Sequence, residues 1–135
     1  MSIFKKIDHI EFAVSDLDRA KNFYKKLGPM IRQTTHHGGS VEFLVGNTIF
    51  EVHEVGGGGK VDEVPGIDHI SFLVEGGREE LEEARKKLLN KGVECTDVSF
   101  IKTTGRYLVN FRDADGHRLQ MNTKPDHEKV VEGAV

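Results

Sequence analysis

IDHIEFAV, residues 7–14, returns sixty positions later as IDHISFLV, residues 67–74, with six of the eight residues unchanged. Each copy alternates. Ile10, Phe12 and Val14 point one way while His9, Glu11 and Ala13 point the other, and Ile70, Phe72 and Val74 stand opposite His69 in the same manner. A period of two with one apolar row is the pattern of a strand covered on one face. A strand made twice predicts a module made twice, so internal repetition is the first feature to follow outward.

After the first copy, SDLDRAKNFYKKLG predicts a helix. Ser15, with Asp18 three residues on, reads as its N-terminal cap. Leu17, Ala20, Phe23, Tyr24 and Leu27 form a stripe at helical spacing, and Gly28-Pro29 ends it. Three extended runs follow, at 30–37, 40–46 and 48–55, broken at Gly38-Gly39 and at the tight-turn pair Gly46-Asn47. GGGGKVDEVPG, residues 56–66, reads as a linker. The second copy of the strand then leads into a helix over 78–92, whose buried edge is Leu81, Ala84, Leu88 and Leu89. VECTDVSFI, TGRYLVNF and GHRLQMN are three further extended segments, the last entered through the turn Asp113-Ala114-Asp115-Gly116. The expectation is one α+β domain over residues 1–135. It comprises a βαβββ module at about 5–55, the linker 56–66, a second such module at about 67–122, and a polar, frayed tail from 123 to 135. Two copies with so long a period are too few for an open solenoid or propeller, and related modules in a pair pack around a shared groove.

Composition removes several functions. At 135 residues and a net charge of −3 the chain has no basic stripe, which argues against nucleic acid as a partner. Cys95 is the only cysteine, so no intrachain disulfide is available, and a reducing, cytoplasmic setting is expected. Asp8 and His9 interrupt the N-terminus before any apolar signal region forms, and no run approaches the length of a membrane span.

Counting faces picks out four strands, each with a polar, metal-capable side chain in mid-strand: His9, Glu51, His69 and Gln120. Taken singly, each has an ordinary explanation as a rim or groove residue. The duplicated histidine argues for convergence, because groups costly to bury alone are satisfied when they meet in a common cleft. Two imidazoles, a carboxylate and an amide oxygen suit a divalent metal, with Zn, Ni, Co, Fe and Mn all compatible.

These stretches, together with TIFEVHE and the F-x-D-x-D-G-x-x-L-Q run of NFRDADGHRLQMN, resemble the vicinal-oxygen-chelate superfamily over residues 5–122. That superfamily includes glyoxalase I, methylmalonyl-CoA epimerase, extradiol dioxygenases and the fosfomycin- and bleomycin-resistance proteins. The resemblance implies two tandem βαβββ modules forming a U-shaped mixed sheet around a central cleft, completed as a homodimer. It implies one metal ligand from the first and one from the last strand of each module, which on this chain are again His9, Glu51, His69 and Gln120. Gln120 stands where the metal-dependent enzymes usually have Glu; an amide coordinates through oxygen but accepts no proton at neutral pH.

The activity so implied is that of a metal-dependent lyase or isomerase, with Glu51 moving the proton of a small oxygenated substrate through an enolate-like intermediate. A dioxygenase with a His/His/Glu iron site and a non-catalytic, ligand-sequestering protein are the alternatives. Glu11 is read as a solvated rim carboxylate and back-up base, and His53 as a substrate-orienting group or substitute ligand. Arg106 and Arg118 are candidates for an anionic substrate tail. His36 and His37, as neighbours on a strand, are expected to face opposite ways, and Cys95 to be a small core residue.

Overall fold

The structure is a computed structural model and describes residues 2–125. The elements run β1 (Lys6–Val14), α1 (Leu17–Tyr24), β2 (Met30–Thr34), β3 (Ser40–Val45), β4 (Thr48–Glu54), β5 (Gly66–Leu73), α2 (Arg78–Asn90), β6 (Ser99–Ile101), β7 (Arg106–Arg112) and β8 (Arg118–Asn122). The fold is α+β, built of two tandem βαβββ modules as the repeat predicts. Short 3-10 turns occupy His36–Gly38 and Gly57–Gly59.

The described residues divide into two compact units, one of residues 9–68 and the other of residues 2–8 with 69–125. In the first unit the strand order is β2-β3-β4-β1, with β1 and β4 parallel and the other pairs antiparallel. The second repeats the scheme as β6-β7-β8-β5, with β5 and β8 parallel. In both, the helix joins the first strand to the second of its module.

The apolar rows lie where alternation places them. In the first unit, Val41, Phe43 and Val52 are buried with Ala20 of α1, and Val14, Leu17 and Tyr24 pack around them. Tyr24 lies against Phe12 (ring centroids 5.6 Å apart) and Phe43 (6.0 Å). In the second, Leu81, Ala84 and Leu88 of α2 meet Val74, Val109 and Met121, and each fully buried aliphatic chain stabilises by about 1.5–3 kcal/mol. Phe4 stacks on Phe72 at 4.7 Å beside this core. Cys95 packs against the same core, as expected.

Several local readings are corrected. The α1 cap is Asp16, not Ser15: its carboxylate accepts from the Arg19 N–H at 3.0 Å, while Ser15 Oγ accepts from the Arg19 guanidinium. The helix ends at Tyr24, so Leu27 of the predicted stripe lies beyond it and is exposed, as is Phe23 within the helix. Leu89 is likewise exposed at the edge of α2. VECTDVSFI gives a strand only at Ser99–Ile101, with Cys95 making a single bridge to Phe111. The tail does not fray at Thr123, which is buried: its N–H donates to the Tyr107 carbonyl and its hydroxyl accepts from the Tyr107 N–H. The rest of that predicted tail, 126–135, lies outside the described residues.

Candidate functional site

Registry explains how one row of acids arises. β1 and β4 pair Glu11 with Glu51, and β3 and β4 pair Glu42 with Glu51. Residues paired across neighbouring strands point to the same face, so Glu11, Glu51 and Glu42 form one row, away from the helix-covered face. All three are buried, with relative exposures of 1%, 8% and 9%. His9 and His53 occupy the same face, one step to either side along β1 and β4.

Burying so much negative potential must be relieved by protons or cations. Burial pushes Glu11 up to about 7, an effect the hydrogen bond with Glu51 only partly offsets. Glu51 is raised well above the usual carboxylate value, first by burial, then by the charge of Glu11 and the hydrogen bond between them. His9 acts in the opposite sense, favouring the Glu51 carboxylate. Both glutamates therefore keep a proton to higher pH than an ordinary carboxylate does, as carboxyls forced together in a buried site do. Glu51 Oε1 is buried and has no hydrogen-bond partner, so this oxygen fits a cation as its missing neighbour.

A second group of side chains closes on Glu11 from the other side. His37 Nε2 lies 3.0 Å and His53 Nδ1 3.4 Å from Glu11 Oε2. The two rings stack at 4.5 Å. His53 Nε2 donates to Glu63 Oε2 at 2.9 Å, and Glu63 Oε1 accepts from the Gly56 N–H. Lys60 reaches both Glu63 (3.5 Å) and Asp68 (3.1 Å). Burial lowers the affinity of His37 and His53 for a second proton, so both are neutral at pH 7.

The equivalent place in the second unit is built differently. Ser71, the counterpart of Glu11 in the repeat, pairs in register with Gln120. Its hydroxyl donates to Gln120 Oε1 at 3.0 Å, while Gln120 Nε2 donates to Asn110 Oδ1 at 3.2 Å. His69 and Gln120 lie on one face and are both buried. Asn122 Nδ2 and Arg106 Nη1 both donate to Asp8 Oδ2, at 3.2 and 2.9 Å.

His9 and Glu51 thus come together on one face of the first unit, and His69 and Gln120 on one face of the second. Four other readings change. Glu11 is no rim carboxylate but among the most buried side chains, because its strand position is sealed by His37 and His53. His36 and His37 are not on a strand: the chain turns there, with His37 in the left-handed region at φ 53°, and its ring enters the cluster. His53 is fully buried and held by Glu63 rather than exposed to a substrate. Arg106, a candidate for an anionic substrate, is ion-paired with Asp8.

Sequence reading alone does not bring in Glu42, His37, Glu63 and Asp68. Glu42 alternates correctly within SVEFLV and shares the Glu51 face, so strand registry is the signal that finds it. Glu63 carries no such signal, because it sits in the glycine-rich segment.

The family model of the Glyoxalase/Bleomycin resistance protein/Dioxygenase superfamily matches residues 6–121. The chain belongs to this superfamily. No curated protein matches its sequence. Among solved structures of superfamily fold, methylmalonyl-CoA epimerase from Mycobacterium tuberculosis aligns with a TM-score of 0.76 at 18% identity, over 95% of this chain and 93% of that one. Methylmalonyl-CoA epimerase from Streptomyces coelicolor, in complex with 2-nitronate-propionyl-CoA, gives 0.64 at 19% identity over 90% and 98%. The 2,3-dioxygenase LapB from Pseudomonas sp. KL28 gives 0.67 at 19% identity over 90% of this chain and 41% of that one. At these identities the likeness shows a shared fold.

Proposed function

We propose that this protein is a metal-dependent isomerase or lyase that moves a proton at the carbon beside a carbonyl of a small oxygenated substrate. The carrying observation is the buried Glu11–Glu51 pair, two neighbouring carboxyls whose burial favours their protonated forms. A general base for a weak carbon acid works best when its pKa lies near the operating pH, and burial of a carboxyl beside another is how proteins reach that range. A ring-cleaving dioxygenase has no comparable need for a tuned carboxyl pair.

His9 and Glu51 are the proposed metal ligands within the first unit, and His69 and Gln120 those within the second. The unpartnered Glu51 Oε1 supports this for the first unit. A divalent cation held by these residues would supply Lewis acidity toward the substrate. Glu51 accepts and returns the substrate proton, Glu11 holds the proton that Glu51 gives up, and Glu42, paired beside Glu51 on β3, is a further base on the same face. Gln120 binds and orients but transfers no proton, its oxygen being shared with the Ser71 hydroxyl. The superfamily neighbours that carry epimerase names support a carbon acid as substrate, with a 2-substituted malonyl thioester and a 2-oxoaldehyde hemithioacetal as the classes to try first. A homodimer in the cytoplasm completes the proposal; among the described residues no helix is long and apolar enough to cross a membrane.

The test is solvent-deuterium incorporation into both substrate classes, run beside O₂ uptake on a catechol. Deuterium entering the carbon acid, and lost with Glu51→Gln, is the expected result. O₂ uptake without exchange would overturn the proton-transfer reading in favour of the dioxygenase.

A further inference from the structure

We propose that Glu11, His37 and His53 form a second divalent transition-metal site, distinct in its ligands from the set above and lying wholly within residues 9–68. One carboxylate oxygen and two imidazole nitrogens lie within 4.8 Å of one another. Two histidines and a carboxylate are a donor set for Zn²⁺ and the neighbouring first-row ions, with positions left open.

Distances favour a shared ion over simple packing. Metal–ligand bonds of about 2.1 Å set adjacent donor atoms about 3.0 Å apart at right angles and about 3.4 Å apart at the tetrahedral angle. The two His–Glu11 distances are 3.0 and 3.4 Å. Neither contact has the geometry of a hydrogen bond.

The protonation of His53 sharpens this. Its Nε2 faces the Glu63 carboxylate at 2.9 Å, and a carboxylate only accepts, so the ring proton is on Nε2. Nδ1 is left with a lone pair, wholly buried, without a hydrogen-bond partner, and aimed at Glu11 Oε2. With Glu11 ionised, two acceptors face each other across a gap that a cation fills. The Glu63–His53 bond is also the outer-shell arrangement that fixes the tautomer and orientation of a metal-ligating histidine.

His37 is placed at a cost that needs an explanation. Its backbone sits in the left-handed region, which ordinary residues seldom occupy, and such outliers gather at functional sites. The glycine-rich segment locks it there. A β-carbon at Gly57 would overlap the His37 carbonyl oxygen, and one at Gly38 would approach Gly58 N to 2.9 Å. GGGG is therefore less a tether than a surface without side chains, on which the His37 turn lies backbone to backbone. The His37 side chain keeps 26% exposure, leaving a route for an ion, whereas Glu11 and His53 have almost none.

Zinc titration of chelator-stripped protein, followed by NMR of the histidine ring nitrogens, tests the site. His37 Nε2 and His53 Nδ1 are expected to shift at stoichiometric zinc. His37→Asn, an exchange that tolerates the left-handed backbone, lowers that affinity at least about 100-fold, and Glu63→Gln lowers it by about 10–100-fold. His9→Ala and His69→Ala leave the His37 and His53 response in place. Rings that stay unshifted while zinc fills other ligands overturn the inference, as does an equal loss of their response in His9→Ala. Shifts at His37 and His53 without any at His9 and His69 uphold it and count against the metal ligands of the proposed function instead.

Discussion

The same strand, made twice, is used in opposite ways. In the first copy its fifth residue is Glu11, set beside Glu51, and the pair is acidic, buried and pushed toward its protonated forms. In the second copy that residue is Ser71, set beside Gln120, and the pair is neutral and closed by ordinary hydrogen bonds through to Asn110. The backbone scheme is common to both, so the scaffold is repeated while two side chains make one pair acidic and the other neutral. The Glu11–Glu51 pair stores unfavourable electrostatics; the Ser71–Gln120 pair is hydrogen-bonded.

Changes at these two pairs break the contrast by graded amounts. The largest effect is expected from Glu51→Gln, which removes the proposed proton acceptor while keeping its shape. Deuterium exchange should fall by about 10²–10⁴-fold with circular dichroism unchanged.

Glu11→Gln acts on stability. A carboxyl whose folded pKa is raised from 4.5 to about 7 stabilises the fold fully only below 4.5, and loses that contribution as pH rises toward 7. In chelator-stripped protein the wild type should therefore lose stability over this window relative to Glu11→Gln. By pH 7 the difference should be on the order of 3 kcal/mol in favour of the variant, read from urea unfolding at several pH values. Equal pH slopes would mean that the pair is not strained.

Gln120→Glu, which makes the second module resemble the first, removes the donor to Asn110 and buries a second acidic group. A loss of about 1–3 kcal/mol is expected, with a gain in deuterium exchange if the second position can then act as a base. Smallest is Ser71→Ala. It removes one hydroxyl donor from Gln120 Oε1 and should cost about 1 kcal/mol in the same unfolding assay.

Much of the scaffold is legible in the amino-acid order itself. Alternation in IDHIEFAV and IDHISFLV determines the faces of β1 and β5, because a period of two leaves no choice once one row is apolar. It also places His9 with Glu51 and His69 with Gln120. What alternation does not show is what folds over a strand from elsewhere. His37 has the look of a strand residue, yet the chain turns at the Gly38-Gly39 break, and Glu63 has the look of a linker residue. Their positions depend on glycine surfaces meeting backbone to backbone, a tertiary property with no local signature. Glu11 is hidden for the same reason. A carboxylate with no visible partner in sequence reads as solvated, and its partners come from the turn and from β4.

Elemental analysis of untagged protein, purified without chelator, bears most directly on the central claim that the first module's histidines and glutamates serve a metal. At least one first-row divalent ion per chain, reduced in His9→Ala and Glu51→Gln while Ser71→Ala retains it, is the result predicted here. Folded wild-type protein that carries none, and takes up none when zinc, nickel, cobalt, manganese or ferrous iron is supplied, would contradict it.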